Sequence, residues 1–255
     1  MEQLSSEQVG QMNLNLPHDV VTLPSQGFFY KNKKKSVKVG YLTAADENFL
    51  ANYASGRGNQ DNFIISLLRS KIYENDIRPD ELLEGDIQAI LIFLRNTSFG
   101  PEYNVSIVDP DTEKSFTTTI LLDELNIKNT IVKPDQEGLF TTTLPRLGSS
   151  VKLKLLSYGE TMEIEKMAEQ YPVGRVAPIV TWKLNKQIVE VNGNRDRETI
   201  AKFIETLPIL DSKHIKNFLR ENEPKLDLTR EIMTPSGKKV TTSIAFGVEF
   251  FRVFF

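Results

Sequence analysis

The sequence predicts an α+β protein in which helical segments alternate with antiparallel β-hairpins. Three observations carry this. Apolar residues recur at helical spacing in several stretches, most clearly Leu82, Leu83, Ile87, Ile90, Leu91 and Leu94. Between these stretches the period falls to two, as in Tyr103, Val105 and Ile107. The period-two runs come in pairs around short turns, Asp109-Pro110-Asp111 and Thr234-Pro235-Ser236-Gly237 among them, which is the pattern of hairpins. The order of segments also leaves open two related halves.

The chain has 255 residues, 40% hydrophobic and 25% charged, enough to bury a core in one large or two small domains. The expected division is a flexible arm over residues 1–17, an α+β region with hairpins and a three-helix segment over 18–157, and a helical region over 158–255 that ends in a β-hairpin and an aromatic terminus. The arm is rich in Gln, Ser and Asn with scattered leucines, a composition unable to bury a core of its own.

Val20 to Leu23 opens the first hairpin. Pro24-Ser25-Gln26-Gly27 turns the chain, and Val37, Val39 and Tyr41 alternate along the returning strand. Lys31, Lys33, Lys34 and Lys35 then fall at the hairpin tip. Thr43 is placed to cap a helix bearing Phe49, Leu50 and Tyr53, with Asp46 and Glu47 beside its positive end. Gly56-Arg57-Gly58 stops that helix, and Asp61 caps a second, with Phe63, Ile64, Leu67, Leu68 and Ile72 on its apolar face. Pro79 and Asp80 open a third, which stops at Ser98-Phe99-Gly100-Pro101. Paired strands follow over Tyr103–Leu122 and 138–156. A short helix near Thr161 is closed by Pro172 and Gly174, and residues 175–191 read equally as helix or strand. Ile200, Phe203, Ile204 and Leu207 mark another helix, and Asp211 or Ser212 caps one more. Strands from Leu226 and from Val240 lead to the aromatic end.

Catalytic chemistry is thinly supplied. With no cysteine, thiolate nucleophiles, disulfides and thiolate metal sites are excluded. The two histidines, His18 and His214, lie far apart. There is no phosphate loop and no Gly-x-Ser-x-Gly elbow, and no pair of carboxylates is singled out. The expectation is a non-enzyme with no catalytic, cofactor-binding or metal-binding residues, no cofactor and no small-molecule substrate. A net charge of −3 argues against nucleic acid; the alternative is an accessory protein that grips phosphate through Lys31–Lys35. No run approaches the ~20 apolar residues of a membrane span, and the start has neither basic nor apolar signal regions. A cytoplasmic chain without a membrane partner is expected.

Apolar density at the two ends supplies candidate contacts. Phe28, Phe29 and Tyr30 near the start, and Phe250, Phe251, Arg252, Phe254 and Phe255 at the end, either complete the core or anchor an interface, where aromatic residues and arginine are enriched. Two stretches also echo one another. Tyr103–Leu125 and Leu228–Phe251 each read strand, turn, lysine, Thr-containing strand and an acid-bearing apolar segment.

In order, these residues resemble the T4-type phage baseplate hub and hub-assembly proteins. The similar segments are Val21-Thr22-Leu23-Pro24-Ser25-Gln26-Gly27, Tyr30, Val37-Lys38-Val39, Leu42-Thr43-Ala44-Ala45-Asp46-Glu47, Asp86–Arg95, Ser98–Tyr103 and the closing Phe246–Phe251. Each is short; their order and spacing carry the resemblance. Relatives often have Cys-x-x-Cys-Gly at the hairpin turns, where this chain has Asp109–Lys114 and Thr234–Gly237. Its hairpins must therefore close by turn chemistry and packing. The resemblance implies a tail protein that builds the central hub or stays in the baseplate. Its partners would be other hub and tail proteins, in a homo- or hetero-oligomer. It would be found in host cytoplasm during assembly and in the virion baseplate if retained.

Overall fold

The computed structural model describes residues 17–56 and 63–251. The expected arm up to residue 16, Arg57, Gly58, Asp61 and the last four residues lie outside them. The fold is α+β, with seven α-helices among the described residues and small antiparallel sheets.

β1 (His18–Thr22) and β2 (Ser36–Gly40) form the first hairpin, with Val21 opposite Val37. α1 (Ala44–Ala54) begins as expected after Thr43. The Asp46 carboxylate reaches back to accept the Thr43 N–H and hydroxyl, both at 2.7 Å. α2 (Phe63–Lys71) follows, then a single 3-10 turn at Pro79–Glu81 and the central helix α3 (Glu84–Phe99). The helix expected from Pro79 is thus broken at Leu82 and Leu83, which are extended. Long-range bonds explain the break. Leu82 O accepts from Tyr158 N at 2.7 Å, and Leu83 N donates to the Tyr30 hydroxyl at 2.9 Å, so other segments hold these backbone groups.

β3 (Glu102–Val108) and β4 (Ser115–Leu121) make a seven-residue hairpin, with Ile107 opposite Phe116. β5 (Ile127–Lys128) is short. β6 (Phe140–Thr143) and β7 (Ser150–Leu153) form the next hairpin. α4 (Tyr158–Glu169) starts with a reciprocal cap between Ser157 and Glu160. The ambiguous 175–191 segment uses both readings. α5 (Ile179–Gln187) runs directly into β8 (Ile188–Val191), which joins the sheet in the order β6-β7-β8. α6 (Arg197–Glu205) is capped by Asp196. α7 (Ile209–Asn222) starts after Pro208, three residues earlier than a cap at Asp211 would allow. The Asp211 carboxylate instead accepts Arg146 N at 2.7 Å and Leu147 N at 3.2 Å, so it caps the β6–β7 turn. β9 (Lys225–Leu226) pairs with β5, and β10 (Thr229–Met233) with β11 (Lys239–Ser243).

One cluster of buried apolar side chains runs from Val21 to Phe251, with Ile87, Ile90, Leu91 and Leu94 of α3 in its midst. The cluster and the β7–β8 pairing both pass across residue 157. At the centre, Asp86 is fully buried in the first turn of α3. It accepts Ser25 N at 2.9 Å and the Tyr30 hydroxyl. Gly27, at φ +73°, lets this turn close, since a Cβ there would meet Lys33 O at 2.4 Å. The Leu-Pro-Ser-Gln-Gly segment is thereby bolted to the central helix.

Candidate interaction surface

The aromatic residues proposed as anchors go mostly inward. Tyr30, Phe250 and Phe251 are buried in the core, and Phe29 packs its ring 5.6 Å from that of Phe140. Phe251 lies edge-on to Phe63, and Phe250 is 5.4 Å from Tyr103 and 4.8 Å from Phe246. Phe28 alone of the described five is exposed, at 38%, beneath the Lys133 ammonium. Arg252, Phe254 and Phe255 lie outside the described residues.

The lysines at the hairpin tip are partly engaged within the fold. Lys34 Nζ lies 2.9 Å from Glu74 and 2.8 Å from Asp76. Lys33 Nζ donates to Phe28 O and to Gln136 O, the latter at 2.7 Å. These contacts fasten the tip to other segments and reduce what remains to meet phosphate.

The two echoing hairpins meet at their turns. Asp109, which is 1% exposed, accepts Ser236 N at 3.1 Å and the Ser236 hydroxyl at 2.8 Å, and Lys238 pairs with Asp111. Asp109 also accepts Asp111 N at 3.0 Å from its own turn. These bonds hold its carboxyl below the usual carboxylate range, although its burial acts the other way. Arg230 donates to Glu124 O near the other end, where β5 pairs with β9. The pair is thus tied at tip and base by polar contacts. His18 stacks edge-on against Tyr73, and His214 Nε2 lies 3.0 Å from the Thr142 hydroxyl. Among the described residues no group of three His, Asp or Glu could hold a metal ion, and no helix is long and apolar enough to cross a membrane.

The surface feature that sequence reasoning missed is the loop between α4 and α5. Val173 is fully exposed and Val176 is 93% exposed, and Ile179 and Val180 continue the apolar surface into α5. Arg175 sits among them. The loop has definite shape. Arg175 N donates to Pro172 O at 3.1 Å, and Tyr171 meets Trp182 edge-on at 5.8 Å across its base. A second corner exposes Leu147, Ile209 and Leu210 around the Asp211 clamp. The signal was present in Pro172-Val173-Gly174-Arg175-Val176-Ala177-Pro178. Its lack of period two or 3.6 left the aliphatics without a face to fill, whereas the terminal aromatics could be absorbed by a core.

The class is an α+β protein whose hairpins and helices share one core. The chain belongs to the family described as T4 bacteriophage base plate protein, whose model matches residues 27–252. No curated protein and no solved structure matches it. Membership makes it a phage baseplate structural protein that works among other tail and baseplate proteins.

Proposed function

We propose that this chain is a non-enzymatic component or assembly factor of the baseplate central hub, acting through contacts with other hub and tail proteins. The observation that carries the contact role is the Val173–Val180 surface. Four aliphatic side chains on either side of an arginine in sequence stand in solvent while Phe250 and Phe251 are used in the core. Neighbouring exposed aliphatics favour a contact site, and arginine is enriched at such sites. The hub assignment rests on the ordered motifs from Val21 to Phe251. Several of their residues, Ser25, Tyr30 and Asp86, form the buried network at the head of α3. Their role is to shape the scaffold that presents the loop.

The test is Val173→Asp with Val176→Asp in the full chain. The double variant is expected to fold normally and to lose co-purification with hub proteins. Undiminished co-purification by the folded variant would refute the assigned surface. Mass spectrometry of purified particles separates the two roles within the proposal. A defined copy number means a component, and absence means an assembly factor.

A further inference from the structure

Between α3, the end of α7 and the β5–β9 pair lies a cleft of about 570 Å³. Gln88 faces it from α3. Its side chain is almost wholly enclosed, with the residue 6% exposed. Its Nε2 donates to Glu84 Oε1 at 3.2 Å, and its Oε1 has no hydrogen-bond partner. Flipping the amide would set two oxygens against each other, so the Glu84 carboxylate fixes the orientation. A buried acceptor with no donor is unfavourable, and such groups are few in folded proteins.

Two carboxylates share the cleft with it. Glu84 stands at the head of α3, and Glu223 lies just past the end of α7. Burial pushes the Glu223 carboxyl up; Lys225 and Lys128 pull against this and Glu84 adds to it. Lys225 Nζ forms a long ion pair with Glu223 at 3.7 Å, so this carboxylate is only loosely held by its own neighbour. Asp227, also in the wall, uses one carboxylate oxygen on Thr229 N. On the far side of Glu84 and Glu223, Lys216 and Arg220 line an adjoining depression. The remaining wall is mixed: Ile127, which is 45% exposed, Leu226 and Leu228 supply an aliphatic strip, and Asn126, Lys128, Lys225, Thr229 and Ser243 supply polar edges. The unfilled Gln88 Oε1 between two carboxylates, with an aliphatic strip beside it, matches a flexible stem tipped by a cationic donor, the chemistry of a lysine or arginine side chain.

We propose that this cleft binds a single organic cation, the ammonium or guanidinium of a basic side chain presented by another polypeptide. The head donates to Gln88 Oε1 and to the Glu84 and Glu223 carboxylates, and the stem lies along Ile127 and Leu226. The site is separate from the α4–α5 loop and does not depend on the baseplate role.

The experiment is an NMR titration of the full chain, following the Gln88 side-chain amide and the backbone amides of Ile127 and Leu226. The probes are the Nα-acetyl methylamides of lysine and of arginine, with norleucine as the neutral control of similar length. Single-side-chain probes of this size bind at millimolar concentration. Saturable shifts are expected with a cationic probe and none with norleucine. The tighter of the two cations identifies the head group. Glu223→Gln is expected to weaken binding roughly tenfold, the loss of one charge-assisted contact. Gln88→Leu is expected to abolish it in a chain that still melts cooperatively. Absence of saturable shifts, an equal response to norleucine, or wild-type affinity in both folded variants would overturn the proposal.

Discussion

The hydroxyl of Tyr30 donates to the carboxylate of Asp86 across 56 residues of sequence, and both side chains are buried. The same hydroxyl accepts from Leu83 N. One oxygen therefore serves the first hairpin and the head of the central helix. Tyr30→Phe strands the Leu83 N–H and removes a donor from Asp86. A loss of about 2–4 kcal/mol is expected, from two buried groups left short of partners. Urea unfolding measures it, and an unchanged midpoint would show the network to be dispensable.

Burial raises the Asp86 carboxyl above its usual range, against the opposing bonds from Ser25 and Tyr30. The native state thus holds this proton more tightly than the unfolded chain. The associated stability is fully present below the unfolded value of about 4 and is lost as pH rises through the native one. Relative to Asp86→Asn, the wild type should lose stability as pH climbs through that window. Parallel dependence of the two proteins on pH would contradict the assignment.

Asp46 responds in the opposite sense. Burial would raise it, but the Lys71 ammonium and the Thr43 cap bonds outweigh burial and lower it. Its contribution is present above about pH 4 and is lost as pH falls through the native value. The side chains of Lys71 and Asp46 are 6% and 11% exposed. Asp46→Asn leaves the ammonium without its counter-charge and should cost about 3 kcal/mol at neutral pH. The deficit relative to wild type should shrink in acid, as read by thermal melts across pH.

Gly85→Ala offers a test of sign. Within a helix alanine is ordinarily favoured over glycine, by up to about 1 kcal/mol in the interior and less in the first turn, where Gly85 lies. Here a Cβ would sit 2.2 Å from Pro224 O and 2.7 Å from Lys225 Cα, where β9 crosses α3. The substitution should instead destabilise by about 1–3 kcal/mol, as overpacking does. A stabilised Gly85→Ala protein would mean that β9 can move away freely.

The contact between the hairpin turns can be tested by exchange. Asp109→Ala removes the acceptor for Ser236 N and Asp111 N. Amide hydrogen exchange at both positions should speed up while amides of α3 keep their protection. In the wild type the same amides should lose protection as pH falls through the lowered Asp109 value, after correction for intrinsic exchange. Equal protection with and without the carboxylate would show that packing alone holds the turns.

Much of the fold was legible because local pattern and tertiary environment agree. α1 follows Thr43, Ile200 and Ile204 face the core from α6, and the period-two runs of β3, β4, β10 and β11 pair as read. Readings failed where a distant group claimed the backbone. Leu82 and Leu83 carry helical spacing but are extended, because Tyr158 and Tyr30 bind them. Asp211 looks like a cap for its own helix, yet it holds Arg146 and Leu147. The cleft at Gln88 was hidden for the same reason. Glu84, Gln88 and Glu223 come together only through the packing of β9 on α3. The terminal aromatics show the limit of composition, since density of Phe does not say whether a ring turns inward.

Asp109 and Ser236 are separated by 127 residues, which orders events on a growing chain. At about 5–20 residues per second, the second turn is synthesised about 6–25 s after the first. Until then the β3–β4 hairpin, with its half-buried Val105 and Phe116, lacks its turn contact with the second hairpin. Such a hairpin alone is only marginally stable. That interval is when a neighbouring chain or a chaperone has its best access to those strands, and closure of the turns ends it.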